Sequence, residues 1–198
     1  MSKRTGVMEL AVLGLLQQSP MHGYELRKRL NAMLGSLRAF SYGSLYPCLK
    51  DLVARGWIIE DGPAEQETAP LAGRRSKIVY KLTAEGKEHF AELASQAGPS
   101  AWDDDSFGVH FAFFAQTDAE TRMRILEGRR RRVEERREGL RSAVTRAADR
   151  MDTYTAELHQ LGLESSDREV RWLNELIATE RDNAARAVVP GADKENKE

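Results

Sequence analysis

The chain has 198 residues and a formal net charge of −1, with 41% hydrophobic and 31% charged residues. This composition excludes a wholly disordered protein, and no apolar run approaches the ~20 residues that a membrane-spanning helix needs. The length suits one large domain or two small ones. The single cysteine cannot form an internal disulfide, so we expect the protein in a reducing compartment, the cytoplasm.

Charge is unevenly distributed along the chain. Residues 1–97 contain 13 Lys and Arg against 10 Asp and Glu, whereas the remaining residues contain 17 against 21. An excess of three cations is too small to hold a polyanion by bulk charge. Any nucleic-acid binding must therefore depend on where individual cations lie.

The first 55 residues predict three helices. Apolar residues from Met8 recur at the spacing of one helix face until Ser19-Pro20, and a second stripe ends at Gly35. The segment SYGSLYPCLKDLVARGWI predicts a third helix that begins near Ser44, with Ser41 or Ser44 as its cap. This start places Pro47 in the first turn, where its missing N–H has no partner to lose.

Two short strands are predicted after the third helix. Trp57-Ile58-Ile59 forms the first, and Lys77 to Leu82 alternates between the two faces of the second. A long loop rich in Gly, Pro and Ala connects them, and a fourth helix begins at Thr83. Three helices followed by a hairpin form a winged helix-turn-helix, which places its third helix in the major groove of DNA and its wing on an adjacent groove.

The predicted DNA contacts lie at the start of the third helix and at the hairpin tip. Small residues at a helix start let the backbone approach phosphates, which the N–H groups and the helix dipole attract. Hydroxyl groups and cations there can meet phosphates or base edges. The predicted contacts are Tyr24, Ser41, Tyr42, Gly43, Ser44, Tyr46, Lys50, Arg74, Arg75 and Lys77.

Gly98-Pro99-Ser100 is the best candidate boundary, and everything beyond it reads as helix. We therefore predict a mostly α (α+β) protein with a winged helix-turn-helix at 1–97, an all-α dimerisation domain at 98–189 and a disordered tail at 190–198. A heptad stripe from Met123 to Leu161 predicts one long helix that needs a partner, and a last helix follows at Asp167–Ala187. The predicted dimer contacts are Leu126, Val133, Leu140, Val144, Met151, Trp172 and Leu176. Arg130 and Arg137 fall on the same stripe, where we expect them to snorkel or to pair across a subunit interface.

Three blocks together resemble the PadR family of bacterial transcriptional regulators. They are HGYELRKRL at 22–30, SYGSLYPCLKDLVARGWI at 41–58 and GRRSKIVYKLTAEG at 73–86. The remaining residues resemble the helical C-terminal domain of virulence-activator-like members, through DDDSFGVHFAFF, the Arg-rich helix and EVRWLNELI. The resemblance implies a homodimer that binds an inverted-repeat DNA operator, usually as a repressor, and in some members is released by a small molecule.

Two other functions stay open on the sequence. A candidate pocket for a small aromatic effector is formed by Trp102, Phe107, His110, Phe111 and Phe114, although aromatic stripes at helical spacing are more often core or dimer contacts. A winged helix can also bind protein instead of DNA. We expect no enzyme activity, no metal and no cofactor, since no nucleophile with a base, phosphate loop or ligand spacing occurs. Cys48, beside Leu49, is expected to be a buried structural thiol.

Overall fold

The structure, a computed structural model, describes residues 3–34, 42–61, 78–147 and 151–188. It is mostly helical with one small antiparallel sheet, which confirms the predicted fold class. The chain divides into two compact units. Met1–Gln96 and Asp104–Asp118 form the first, and Ala97–Asp103 and Ala119–Glu198 form the second.

The first unit contains the predicted winged helix-turn-helix. Its helices and strands are α1 (Lys3–Gln18), β1 (Met21–His22), α2 (Gly23–Leu34), α3 (Tyr42–Ala54), β2 (Ile58–Asp61), β3 (Val79–Leu82) and α4 (Ala84–Ser95). The returning segment of this unit adds α6 (Phe107–Ala112) and a short 3-10 helix (Phe114–Gln116). The second unit contains α5 (Pro99–Trp102), α7 (Ala119–Ala147) and α8 (Thr153–Val188).

The sheet has the strand order β1-β3-β2, and both pairings are antiparallel. β2 and β3 are the predicted wing strands, with Ile58 opposite Leu82. The sequence did not predict β1, which is two residues long and pairs Met21 with Tyr80. Nδ1 of His22 lies 3.0 Å from the carbonyl oxygen of Ile78, which adds a side-chain contact to this pairing. A strand this short carries no periodic pattern, so sequence alone could not reveal it.

α1 is buried on every side. Residues 7–16 are all buried, including Glu9 at 2% exposure, and α1 contacts α2, α3, α4, α6 and β3. The predicted single apolar face was therefore too narrow, because a helix that is apolar all round lies at the centre of a core. The other elements of the first unit pack around α1.

Residues 104–118 pack with the first unit through a close aromatic contact. The ring of Phe113 is 1% exposed and lies so near α1 that a Cβ added at Gly14 would come within 2.4 Å of it. Phe113 also meets Phe90 edge to face, with ring centroids 5.9 Å apart. The predicted boundary at residue 97 put this segment in the C-terminal domain, because helical periodicity cannot tell which core a helix joins.

The second unit contains an antiparallel helix hairpin. Ion pairs join Arg122 to Glu180 at 2.8 Å and Arg129 to Glu169 at 2.7 Å, so the order of contacts along α7 is reversed along α8. None of the helices in the described ranges is long and apolar enough to cross a membrane.

The predicted single helix through Leu161 was wrong, and so was the start of the last helix at Asp167. α7 ends at Ala147, and α8 is continuous from Thr153 to Val188. Oδ1 of Asp152 accepts hydrogen bonds from the backbone N–H groups of Tyr154 and Thr155, and these bonds mark the start of α8. The hydrogen bond from the Thr155 hydroxyl, with these backbone bonds, lowers the pKa of Asp152. The heptad spacing happens to continue from α7 into α8, so periodicity concealed a helix-start signal.

Replacing Gly14 with Ala should lower the free energy of unfolding by about 1–3 kcal/mol, because the new methyl group would overlap the buried Phe113 ring. An added Cβ at Gly6, in the same helix, meets nothing within 4 Å. Gly6→Ala is therefore the control, expected to be neutral or stabilising by roughly 0.5–1 kcal/mol. Urea denaturation followed by circular dichroism measures both changes, and equal effects would contradict close packing of Phe113 on α1.

Candidate nucleic-acid interface

The third helix begins two residues earlier than the sequence predicted. α3 starts at Tyr42, so Pro47 lies inside the helix and beyond its first turn. Proline cannot donate the hydrogen bond that the carbonyl oxygen of Gly43 would receive in a regular helix. Gly43 and Pro47 are both exposed, so water can solvate that carbonyl group. The proline is tolerated because it faces solvent.

α3 has a buried face and a flat exposed face. Leu45, Cys48, Leu49 and Leu52 point into the core, each at most 7% exposed. The exposed stripe repeats at the spacing of one helix face and consists of Gly43, Pro47, Lys50 and Ala54, with Ser44 beside its start. Pro47 and Ala54 were not predicted as part of this surface, although they lie one turn from Lys50 on either side. The side chains at the amino end of the stripe are small, and Lys50 is its one cation.

The start of α2 contributes a second exposed surface. The side chain of Tyr24 is 58% exposed, and Lys28, one turn further along, is exposed on the same side. Arg29 instead pairs with Glu25 at 2.7 Å, as expected for a solvated helix face. Tyr24 and Lys28 therefore remain available to a ligand outside the unit.

Tyr46 has a packing role between helices. Its ring is half-buried, and a Cβ added at Gly23 would lie 3.3 Å from the ring and from the hydroxyl oxygen. The absence of a side chain at Gly23 lets α2 and α3 approach each other there. Tyr46 thus supports the position of α3, and its direct contact with DNA stays a prediction.

Most of the remaining predicted DNA contacts lie outside the part of the chain that the structure describes. Ser41, Arg74, Arg75 and Lys77 lie outside the described residues, and Tyr42 is the first residue of α3. Their roles stay predictions. The strands that flank the wing tip are described, and Lys81 of β3 forms an ion pair with Asp61 of β2.

The base of the wing is joined to the end of α3 by Thr83. Its hydroxyl group donates to the carbonyl oxygens of Gly56 at 2.7 Å and Trp57 at 3.0 Å, and it also caps α4 through the N–H of Gly86. A Cβ at Gly86 would lie 1.9 Å from the carbonyl oxygen of Trp57, so only glycine allows this approach. The two strands and α4 therefore meet at one point.

Cys48 is a buried, free thiol, as predicted. Burial raises its pKa to about 12, and the negative charges of Glu9 and Asp51 act in the same direction against the opposing charge of Arg55. The thiol therefore stays protonated at neutral pH, which makes it a poor nucleophile. Its place is in the core behind the exposed stripe.

The structure divides the predicted dimer contacts into two groups. Leu126 and Val133 are at most 1% exposed within the chain, so the hairpin already covers them and they are not free to meet a partner. Leu140, Val144, Met151 and Leu176 are half-buried, and Trp172 is 39% exposed.

Arg130 and Arg137 were expected to snorkel or to pair across a subunit interface, and the structure gives both a partner within the chain. Arg130 donates to Asn174 at 3.2 Å and Arg137 to Asp167 at 2.9 Å, both within the chain. Most of the heptad stripe on α7 is thus packed against α8 of the same chain. Because the stripe was interpreted as one helix, we expected a second subunit to cover it. The structure shows that α8 of the same chain covers it.

The predicted effector pocket is also divided. Trp102 belongs to the second unit, where a Cβ added at Gly128 would lie 2.4 Å from its indole, and the other four residues belong to the first. Phe111 lies between Phe107 and Phe114, at centroid distances of 5.8 Å and 5.0 Å. His110 is buried beside this row, and desolvation lowers its pKa to about 4. No group of three or more potential metal ligands occurs in the described part of the chain.

Acid should destabilise the protein partly through His110. Its pKa falls from 6.5 to about 4 on folding, so between these values the unfolded chain binds more protons. This contribution is fully present above pH 6.5 and is lost as the pH falls toward 4. At pH 5 the loss should be on the order of 2 kcal/mol, and His110→Gln should lose correspondingly less than wild type between pH 7.5 and roughly 5. Urea titrations at both values test this, and identical pH dependence of the two proteins would contradict it.

Comparison with known proteins gives one family match. Residues 12–92 match the model described as the transcriptional regulator PadR-like family. No match occurs among curated proteins. Similar solved structures include Bacillus subtilis PadR in complex with operator DNA, at 19% identity and a TM-score of 0.41, covering 88% of this chain and 99% of that one.

Two further structures are similar in the same sense. A putative transcriptional regulator from Thermoplasma acidophilum is 31% identical with a TM-score of 0.36, covering 44% of this chain and 77% of that one. A PadR-like regulator from Bacillus cereus is 20% identical with a TM-score of 0.38, covering 89% and 99%. The virulence-activator-like character of the C-terminal region stays a prediction. Through the segment 12–92, which contains α2, α3 and both wing strands, the chain belongs to the PadR-like family of transcriptional regulators.

Proposed function

We propose that this regulator binds an inverted-repeat operator in the cytoplasm as a homodimeric repressor, with α3 of each copy in a major groove and the wing on an adjacent groove. The observation that carries the proposal is the exposed amino end of α3. Gly43 and Ser44 are exposed there while Leu45 and Leu49 anchor the opposite side of the helix in the core. The helix is therefore anchored on one side, and the surface that we propose reads DNA is exposed to solvent.

The chemistry of this surface suits a phosphate-lined groove. The amino end of a helix carries partial positive charge and free N–H groups, and glycine leaves them accessible. The Ser44 hydroxyl can donate to or accept from a base edge, and Lys50 extends from the next turns of the same face. Pro47, between them, offers an apolar surface to a thymine methyl group.

A second group of contacts supports the orientation of α3. Lys28 and Tyr24 lie one turn apart on the exposed side of α2, the helix that crosses the DNA backbone in this architecture. Both side chains can reach phosphate oxygens, and such contacts position a protein without reading sequence. Arg74, Arg75 and Lys77 have the corresponding role in the wing, where three cations within four positions give local charge to a nearly neutral unit.

The dimer contact is proposed on the exposed side of α8. Tyr154, Leu158 and Leu161 are 87%, 66% and 58% exposed, and they fall on one helix face. Trp172 continues this face further along the helix. Large apolar side chains exposed on one helix face mark a candidate interaction surface, and a second copy presents the same surface under two-fold symmetry. Tyr154, Leu158 and Leu161 replace Leu126 and Val133 as proposed contacts, and Trp172 is kept.

A small aromatic effector is a second candidate function. The row of Phe107, Phe111 and Phe114 with a neutral, buried His110 supplies stacking surfaces and one polar group. Trp102 is no longer part of the candidate set. A rise in melting temperature with small aromatic acids, abolished by His110→Leu, would favour this function.

Substitutions in the wing and in α3 should affect DNA binding in two different ways. Arg74→Ala with Arg75→Ala should weaken binding to all duplexes and lower the magnitude of the salt slope by about two, because each lost phosphate contact removes roughly one unit. Ser44→Ala should instead change sequence preference at one base position by about 1–3 kcal/mol with an unchanged slope. Fluorescence anisotropy on selected and mismatched duplexes, at several salt concentrations, separates the two.

The matched control is Arg171→Ala, an exposed arginine of α8 outside the proposed dimer face, which should leave both quantities as in wild type. If the paired wing variant binds with the wild-type salt slope, the wing does not touch DNA. Protein that selects no duplex at all would favour the protein-interaction module.

Charged substitutions in the proposed dimer contact should convert the protein into a monomer. Leu158→Lys with Leu161→Lys should give the single-chain mass of 22.3 kDa in light scattering, where wild type gives twice that value, since four charges would be forced into an apolar contact. Gln160→Lys adds the same charge on another exposed side of α8 and should remain dimeric. A wild-type monomer, or a dimer that survives the double change, would disprove this contact.

A further inference from the structure

We propose that His89, held in place by Glu9, is a positioning residue that fixes the wing relative to α3. The inference rests on the proposed function, because it concerns how two DNA-contacting elements keep their mutual geometry. Neither residue lies on the exposed surface of α3 or in the wing tip. Both belong to a line of contacts that begins in the buried first helix.

The first contact is a buried carboxyl group. Glu9 is 2% exposed in the middle of α1, among apolar neighbours. Its Oε2 atom lies 3.6 Å from Nε2 of His89 on α4, and its Oε1 atom has no hydrogen-bond partner among the residues that the structure describes. A carboxyl group is costly to bury. The position of this buried carboxyl group beside an imidazole points to a role in placing His89.

The second contact passes from His89 to Trp57. The two rings are stacked, with centroids 3.6 Å apart and planes 19° apart. The other ring nitrogen, Nδ1, lies 3.4 Å from a carboxylate oxygen of Glu92, one turn further along α4. His89 is thus contacted at Nδ1 by Glu92 and on one ring face by Trp57, while its Nε2 atom faces Glu9 without a hydrogen bond among the described residues. The orientation of its ring determines where the indole of Trp57 can lie.

Trp57 connects the end of α3 with both strands of the wing. Its indole lies 4.9 Å from the guanidinium of Arg55, which pairs with Asp51 of α3 at 2.9 Å. Its backbone precedes β2, and its carbonyl oxygen accepts from the N–H and the hydroxyl of Thr83, which follows β3. A shift of Trp57 therefore moves the roots of both strands relative to α3.

This geometry matters because the wing and α3 must reach two grooves of one duplex. Groups that hold a binding residue in place by packing and hydrogen bonds control how well a rigid ligand can be engaged at two points. If His89 no longer supports Trp57, α3 can still enter its groove. The wing then loses its fixed angle and its ionic contacts with phosphate.

The experiment measures the salt slope of binding to a duplex selected by the wild-type protein, together with a hydroxyl-radical footprint. His89→Ala should weaken binding about 10-fold, lower the slope magnitude by about one to two, and remove protection only at the flank of each half-site. His89→Phe keeps a ring against Trp57 but loses both nitrogens, so it should restore slope and flank protection only in part, to a level between His89→Ala and wild type. Glu9→Gln should resemble wild type more than Glu9→Ala does, because an amide still contacts the imidazole.

A purely structural role would reduce the folded fraction without changing the slope or the shape of the footprint. The inference is overturned if His89→Ala keeps both. If His89→Ala fails to fold, Glu9→Ala decides: a slope and footprint equal to those of Glu9→Gln overturn it. His159→Ala, a histidine change on α8, is the control and should match wild type. Wild-type protein that selects no duplex overturns the proposed function as well, so the two failures are distinguishable.

Discussion

The burial of α1 on all sides is the constraint on which the DNA-binding unit depends. A helix without an exposed face cannot be stable alone, so α2, α3, α4, α6 and the sheet must all pack around it. Each neighbouring element packs its apolar side against α1 and the other core elements. The exposed amino end of α3 is what remains outside, since Leu45 and Leu49 hold the opposite face. The surface that we propose reads DNA is therefore a consequence of how the core is filled.

The same constraint explains how a protein with a net charge of −1 can address DNA. The folded unit does not rely on bulk charge. It places Lys50 on α3 and Lys28 with Tyr24 on α2, while Arg29 is neutralised by Glu25. In the second unit, arginines of α7 are neutralised in the same way by carboxylates of α8. They are Arg122, Arg129, Arg136 and Arg137. An arginine-rich sequence there encodes a helix contact.

Sequence alone predicted the elements that carry strong local patterns. The buried face of α3, the two wing strands, the Thr83 start of α4 and the family all followed from periodicity, caps and motifs. The start of α3 was misplaced by two residues, because Pro47 was assumed to need the first turn. Its exposure makes an interior position tolerable, and exposure is set by the neighbours of the helix.

What sequence missed depends on contacts between distant residues. β1 exists through pairing with β3, the 104–118 segment through the fit of Phe113 against Gly14, and Trp102 is placed by Gly128. The turn before α8 was hidden because the heptad spacing of α7 continues in α8, so two antiparallel helices resembled one. The Glu9 and His89 contact had no sequence pattern at all. Two polar residues 80 positions apart become neighbours only after α4 docks on α1.

The most direct test of the central claim is a photochemical cross-link from the start of α3. A photoreactive residue at position 44, in full-length protein bound to a duplex selected from a random library, should form an adduct with a base inside each half-site. The two adducts should lie about one DNA turn, ~10 bp, or a multiple of it apart. A complex that forms but yields no adduct with a base from this position would contradict the account.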